Sequence, residues 1–129
     1  MKQIFAGILL CGCLTVTGSA QIVDHVEARV SPSSVNGGCP ATFHFQGVIV
    51  STGKPGTVYY HWVKNDNSKT VDQSTSFRNV RERRLINWQW TVTKPSNVSF
   101  HGGARLEVVR PQRAESPMEE FTLHCKPRR

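Results

Sequence analysis

The feature that most restricts the fold is a strict two-residue alternation in residues 86–92, which read INWQWTV. Every second side chain of this stretch is apolar, and the side chains between them are polar. Successive side chains of a β-strand point to opposite faces of the sheet, so the pattern places all the apolar groups on one face. An α-helix would distribute the same residues around its axis. The stretch therefore predicts a β-strand with one face in a hydrophobic core.

The same alternation recurs along the chain and predicts six further strands, around residues 26–30, 43–49, 58–62, 70–77, 104–110 and 121–125. Turn-forming residues separate them, for example at 53–56 and 94–97. The stretch 70–77 lacks an apolar face, so it is predicted to be an edge strand. Seven strands without helical periodicity predict an all-β fold, in which two antiparallel sheets pack as a sandwich.

The first twenty residues have the composition of a secretory signal peptide. Lys2 supplies a positive charge, residues 4–14 form an apolar run too short to span a bilayer, and residues 18–20 are small, as at a cleavage site. We therefore predict a signal peptide at residues 1–20 and one domain at residues 21–129. No second apolar run reaches membrane length.

Two of the four cysteines lie beyond the predicted signal peptide, at positions 39 and 125. An even cysteine count in an exported chain predicts a disulfide, and Cys39–Cys125 is then the single possible pairing. Such a bond indicates an oxidising compartment, so we expect an extracellular or periplasmic protein. As an alternative, residues 10–13 (LCGC) are similar to a bacterial lipobox, which would place a lipid anchor on Cys13.

Several stretches resemble a pattern found in small bacterial secreted immunoglobulin-like modules: SPSS at 31–34, GCP at 38–40, FHFQG at 43–47 and PGTVYYHW at 55–62. Cys39, Trp62 and Cys125 carry the wider resemblance to an immunoglobulin (Ig)-like sandwich. It implies that fold for nearly the whole mature chain, and a module of mostly undefined role. In antibody domains the second cysteine lies in the sixth strand, whereas here it closes the seventh. Because the strands alternate in direction, Cys39 and Cys125 still arrive at the same end.

The end opposite the predicted disulfide gathers positive charge. From residue 21 onward, fifteen Lys and Arg face nine Asp and Glu, a net charge of about +6. Three loops that meet at this end carry seven of the basic residues: Lys54, Arg78, Arg81, Arg83, Arg84, Arg110 and Arg113. Clustered arginine suits forked hydrogen bonding to carboxylate, sulfate or phosphate. We predict that this end contacts an anionic polysaccharide or a protein partner; solvated surface charge is the alternative interpretation.

No motif for catalysis or cofactor binding is present in the sequence. It contains no Gly-x-Ser-x-Gly, no His-Glu-x-x-His and no glycine-rich phosphate loop, and the disulfide would occupy both thiols. His61 and His124 are predicted on outward faces with a strand between them, about 10 Å apart, which is too far to share a metal ion. We therefore expect no enzyme activity, no metal and no cofactor.

The tryptophans are predicted to be core residues rather than a sugar-binding platform. Trp88 and Trp90 share one face with the apolar residues of their strand. Trp62 also lies on a predicted core face, so no aromatic residue is interleaved with the arginines, and specific nucleic-acid binding is not expected. Tyr59 points the other way and is predicted to make a surface contact.

Two other function classes stay open beside a non-enzymatic binding module. The chain is similar in outline to chagasin-like cysteine protease inhibitors, which insert three loops of an Ig-like sandwich into a protease cleft. Arg110 and Pro111 match part of one motif of that family, but Gln112 replaces its aromatic residue. Residues 53–57 and 81–84 replace its other two motifs. The second alternative is a structural envelope protein. Oligomeric state is not predicted.

Overall fold

The computed structural model describes residues 21–127, so the predicted signal peptide and Cys13 lie outside the described residues. Within this range the chain forms strands and no helix. The strands are β1 (Val23–Ser31), β2 (Ser34–Gly37), β3 (Ala41–Ser51), β4 (Gly56–Lys64), β5 (Gln73–Phe77), β6 (Arg83–Val92), β7 (Ser99–Arg110), β8 (Ala114–Glu115) and β9 (Glu119–Cys125).

The strands form two packed sheets, which confirms the predicted all-β sandwich. The small sheet has the order β1-β3-β6, and the large sheet has the order β2-β9-β7-β4-β5, with β8 paired to β7. The alternating apolar residues of both sheets meet in one core. Phe43 of the small sheet stacks on Phe121 of the large sheet, with ring centroids 3.7 Å apart. As predicted, β5 is an edge strand, and within residues 21–127 it pairs with β4 alone.

The structure has nine strands in the described residues rather than the seven predicted, and one strand pair is parallel. β2 pairs in parallel with β9, and β8 pairs with the end of β7. Both added strands are short, with four and two residues, and neither has an apolar alternation long enough to be read from the sequence. The parallel pair corrects the prediction that both sheets are wholly antiparallel.

Strand β7 also begins earlier than predicted, at Ser99 rather than near Ala104. Gly102 and Gly103 lie inside it and pair with Phe121 and Glu120 of β9. A Cβ atom at Gly102 would overlap the Phe121 ring, so a side chain at this position would displace a core residue. The glycines here permit close packing rather than mark a turn.

Trp62 is buried in the core, whereas Trp88 and Trp90 face inward but are only partly buried. Among the described residues β6 is the edge strand of the small sheet, so no strand in residues 21–127 neighbours one side of each of its indole rings. The ammonium group of Lys64 lies 4.7 Å from the centroid of the Trp90 ring. The predicted core face is therefore correct, but the edge position leaves these two rings accessible.

The predicted disulfide joins Cys39, in the connection between β2 and β3, to Cys125, the last residue of β9. The two Cα atoms are 5.5 Å apart. Nearby, the backbone N–H of Asn97 donates to the carbonyl of Cys125 at 2.6 Å, and that of Lys126 donates to the carbonyl of Gly37 at 2.8 Å. The covalent bond and these hydrogen bonds fix one end of the sandwich.

Candidate functional site at the basic loop end

Three loops and the start of β1 meet at the end of the sandwich opposite the disulfide. We call this region the basic loop end, and it comprises residues 21–24, 51–56, 77–84 and 109–114. The backbone N–H of Ser51 donates to the carbonyl of Glu82 at 2.8 Å, which joins the β3–β4 loop to the β5–β6 loop. The N–H of Thr52 donates to the carbonyl of Ile22, also at 2.8 Å. The loops that carry the predicted basic residues therefore lie side by side.

Glu82 joins two of the predicted arginines. The backbone N–H of Arg78 donates to Oε1 of Glu82 at 2.7 Å, and Nη2 of Arg78 and Nη1 of Arg84 donate to Oε2 at 3.2 and 3.0 Å. The hydrogen bonds from Arg78, with a further one from Arg84, lower the pKa of Glu82 to about 2. Arg84 also donates to the carbonyl of Ser76 at 3.0 Å. The carboxylate thus fixes the direction of both guanidinium groups.

Arg81 and Arg83 reach across to acidic residues of β1. Nη2 of Arg81 donates to Oδ2 of Asp24 at 2.9 Å, and Nη2 of Arg83 lies 3.9 Å from Oε2 of Glu27. The hydrogen bond from His25, together with the charge of Arg81, lowers the pKa of Asp24. These side chains are exposed, so water screens the pairs and each contributes little to stability.

Arg110 and Arg113 lie on the outer side of the large sheet. The guanidinium carbon of Arg110 is 4.1 Å from the centroid of the Tyr59 ring, a cation–π contact on the face where Tyr59 was predicted to point. Nη2 of Arg113 donates to Oε1 of Glu107 at 3.2 Å. Burial opposes the ionisation of Glu107, but the charges of His61 and Arg113 hold its pKa below the usual range.

His61 is buried, with 5% of its surface exposed, although the alternation predicted an exposed surface histidine. Its Nδ1 lies 2.7 Å from Oδ1 of Asp72, and its Nε2 lies 3.4 Å from Oε1 of Glu107. The alternation predicted its outward direction correctly, but it contains no sign that Asp72, in the β4–β5 connection, covers the ring. β7 separates His61 from His124, and no group of acidic, His or Cys residues within 21–127 is arranged to hold a metal ion.

The seven predicted basic residues exceed the acids that contact them. Five of them, Arg78, Arg81, Arg83, Arg84 and Arg113, pair with four carboxylates, those of Asp24, Glu27, Glu82 and Glu107. Lys54 has no carboxylate partner among residues 21–127. The side chains of Arg78, Arg81, Arg83 and Arg113 are 64–79% exposed, so each keeps donors free for a ligand. Anion binding at this end stays a prediction.

Gln112 has a structural role that the sequence did not predict. Its Oε1 accepts hydrogen bonds from the backbone N–H of Ile22 at 2.7 Å and of Val23 at 3.0 Å, and its Nε2 donates to the carbonyl of Val23 at 3.0 Å. This one side chain thereby supplies the hydrogen bonds that a neighbouring strand would otherwise make to the backbone at the start of β1. The two partners are 90 and 89 residues away in the chain, so no local pattern indicated them.

No protein-family model and no curated protein matches this chain. Solved structures do. The CARDB domain of a Pyrococcus furiosus protein, solved with di-metal ions, superposes with a TM-score of 0.60 at 8% identity, covering 83% of this chain and 99% of that domain. The Pseudomonas fluorescens alkylpurine DNA glycosylase AlkC, solved with DNA containing an abasic site analogue, gives a TM-score of 0.60 at 13% identity. That match covers 82% of this chain and 31% of the glycosylase.

At these identities the likeness concerns the fold, and it supports the predicted Ig-like architecture. The match to the CARDB domain spans almost that whole domain. The residues described by the structure include no helix that is long and apolar enough to cross a membrane.

Proposed function

We propose that this protein is an exported, non-enzymatic β-sandwich module whose basic loop end binds anionic groups of a polysaccharide or protein partner. The observation that carries the proposal is the set of exposed guanidinium groups that neighbouring carboxylates hold in place at one end of a rigid scaffold. Forked guanidinium donors match the geometry of carboxylate, sulfate and phosphate groups.

The carboxylates that hold the arginine side chains in place favour anion binding rather than oppose it. An arginine that is already held by Glu82 or Asp24 loses less side-chain freedom when a ligand arrives than a fully mobile one does. Three positive charges remain after the four carboxylates are counted against the seven basic residues, so the end still attracts anions. The Cys39–Cys125 disulfide supports export, because such bonds persist in oxidising compartments.

The test is retention of the oxidised protein on a heparin column across a salt series. The variant combines Lys54→Ser, Arg81→Ser and Arg83→Ser, because these residues contact no buried acid and their replacement leaves the Glu82 and Glu107 ion pairs intact. The matched control combines Arg29→Ser, Lys69→Ser and Lys126→Ser, three exposed residues outside the basic loop end with no ion pair among the described residues.

We expect the loop-end variant to elute at lower salt. The slope of log affinity against log salt should fall by about one for each basic side chain that binds the heparin in the wild type and is absent from the variant. The control should elute close to the wild type. Equal weakening in both variants, or no retention of the wild type, would overturn the proposal. Tight inhibition of papain by the wild type would favour the protease-inhibitor alternative instead.

A further inference from the structure

The outer edge of β6 is the longest free sheet edge in the described part of the chain. In the order of the described strands, β6 closes the small sheet and pairs with β3. Ten consecutive residue pairs, from Val50–Arg83 to Ala41–Val92, join the two strands without a register shift. The backbone N–H and C=O groups of β6 that point away from β3 therefore form a regular edge along this ten-residue strand.

The other edges carry features that natural proteins use to prevent strand addition. β1 has an irregular register between Val23 and His25 and bears several charged side chains. β2 has four residues and β5 has five. β6 contains no proline and no register shift, and its charged residues, Arg83 and Arg84, both lie at its start. Leu85 on its outer face is 60% exposed. β6 thus keeps an unprotected edge with an apolar side chain beside it.

We infer that β6 pairs antiparallel with β6 of a second copy of this chain, which gives a symmetric dimer with a continuous six-stranded sheet. Residues directly opposite each other in an antiparallel pair have their side chains on the same face of the sheet. In a twofold-symmetric pair one residue must therefore lie opposite its own copy, with the axis between the two. The register centred on Asn87 uses nearly the whole strand. Its pairs are Arg83 with Thr91, Arg84 with Trp90, Leu85 with Gln89, Ile86 with Trp88, and Asn87 with its own copy.

This register avoids like charges in contact. Arg84 of each copy lies opposite Trp90 of the other, while its guanidinium group stays bonded to Glu82 and the Ser76 carbonyl of its own copy. Registers centred nearer the start of the strand shorten the pairing, and the one centred on Arg84 sets that residue against its own copy, which is unfavourable. The charge pattern of β6 therefore disfavours the short registers near its start, and the double variants described below distinguish the Asn87 register from the equally long one centred on Trp88. This inference does not depend on anion binding at the basic loop end.

The test is the mass of the oxidised protein by sedimentation velocity over a range of concentrations. We expect a monomer–dimer equilibrium in the wild type. Asn87→Lys places two ammonium groups opposite each other on the twofold axis and should raise the dissociation constant roughly fivefold or more. The matched control is Ser74→Lys, which adds the same charge to the exposed edge strand β5 and should leave the dimer unchanged.

Two double variants test the register itself. Leu85→Glu with Gln89→Lys sets opposite charges across the interface and should preserve the dimer, whereas Leu85→Lys with Gln89→Lys sets like charges there and should abolish it. Circular dichroism checks that each variant is folded. A wild type that stays monomeric at its highest soluble concentration would overturn the inference. So would equal effects of Asn87→Lys and Ser74→Lys, or of the two double variants.

Discussion

Glu82 is almost enclosed by the groups that it binds, with 8% of its side chain exposed. Its pKa of about 2 lies below the ordinary value of 4.5, because the hydrogen bonds from Arg78 and Arg84 favour the charged form. A carboxylate whose pKa falls on folding stabilises the folded state fully above pH 4.5. That contribution disappears as the pH falls from 4.5 toward 2.

We therefore expect Glu82→Gln to lower the melting temperature at pH 7, and the difference from the wild type to shrink toward zero near pH 2. Thermal unfolding at a series of pH values between 7 and 2 measures this. Glu119→Gln is the control, because Glu119 has no ion pair among the described residues and its change should be small at every pH. A Glu82→Gln deficit that is constant with pH would show that the carboxylate charge is not the cause.

For individual residues of the basic loop end, the sequence predicted the positive charges but not the acidic side chains that pair with them. Arg81 and Asp24 are 57 residues apart, and the pair exists only because the start of β1 lies beside the β5–β6 loop. The predicted surface exposure of His61 was wrong for the same reason, because Asp72, which covers its ring, lies in a loop that the alternation of β4 does not describe. Contacts between distant residues depend on loop paths, which local periodicity does not encode.

Among the elements, the start of β1 depends on a single side chain from another loop. Gln112 satisfies the backbone of Ile22 and Val23, and Val23 is buried. Gln112→Ala leaves these groups without partners and should cost about 1–3 kcal/mol of unfolding free energy. Denaturant unfolding measures this cost, and hydrogen exchange should show faster exchange of the Val23 amide.

The control for this variant is Gln21→Ala, since Gln21 is exposed and its side chain makes no hydrogen bond within the described residues. Its effect should stay within about 0.5 kcal/mol. If Gln112→Ala were equally mild and the Val23 amide stayed protected, the start of β1 would be held by its apolar contacts rather than by the glutamine.

The long strands were predictable because each buries one apolar face, and that face leaves a period of two in the sequence. β6, with its alternating tryptophans, is the clearest case, and the polar composition of β5 correctly marked an edge. β2 and β8 left no such signal, since they are held by backbone pairing rather than by burial of side chains. The first residues of β7 were missed because Gly102 and Gly103 add no apolar side chain to the alternation, and Gly102 instead leaves room for the Phe121 ring.

For the molecule as a whole, the disulfide restricts the unfolded chain more than it adds contacts to the folded one. It links residues separated by 86 positions, and in the chain-entropy model closing such a loop contributes about 4–5 kcal/mol to stability. Replacing both cysteines, Cys39→Ser with Cys125→Ser, should lower the unfolding free energy by an amount approaching this value. Denaturant unfolding of the variant beside the oxidised wild type tests the expectation.

Reduction of the wild type by dithiothreitol is the matching control, and it should reproduce the destabilisation without a change in sequence. A double-serine variant as stable as the oxidised wild type would show that the unfolded chain is already compact around this loop.

The same bond decides how the molecule would carry tension. When the chain is pulled from residue 21 and residue 127, the covalent path runs to Cys39, crosses the sulfur bridge and leaves through Cys125. The strands from β3 to β9 lie inside the closed loop, so the force bypasses their backbone. Only β1 and β2 can be drawn out, after β1 shears from β3 and leaves Gln112. The disulfide thus limits how far the molecule can be extended, and the strands from β3 to β9 bear no pulling force.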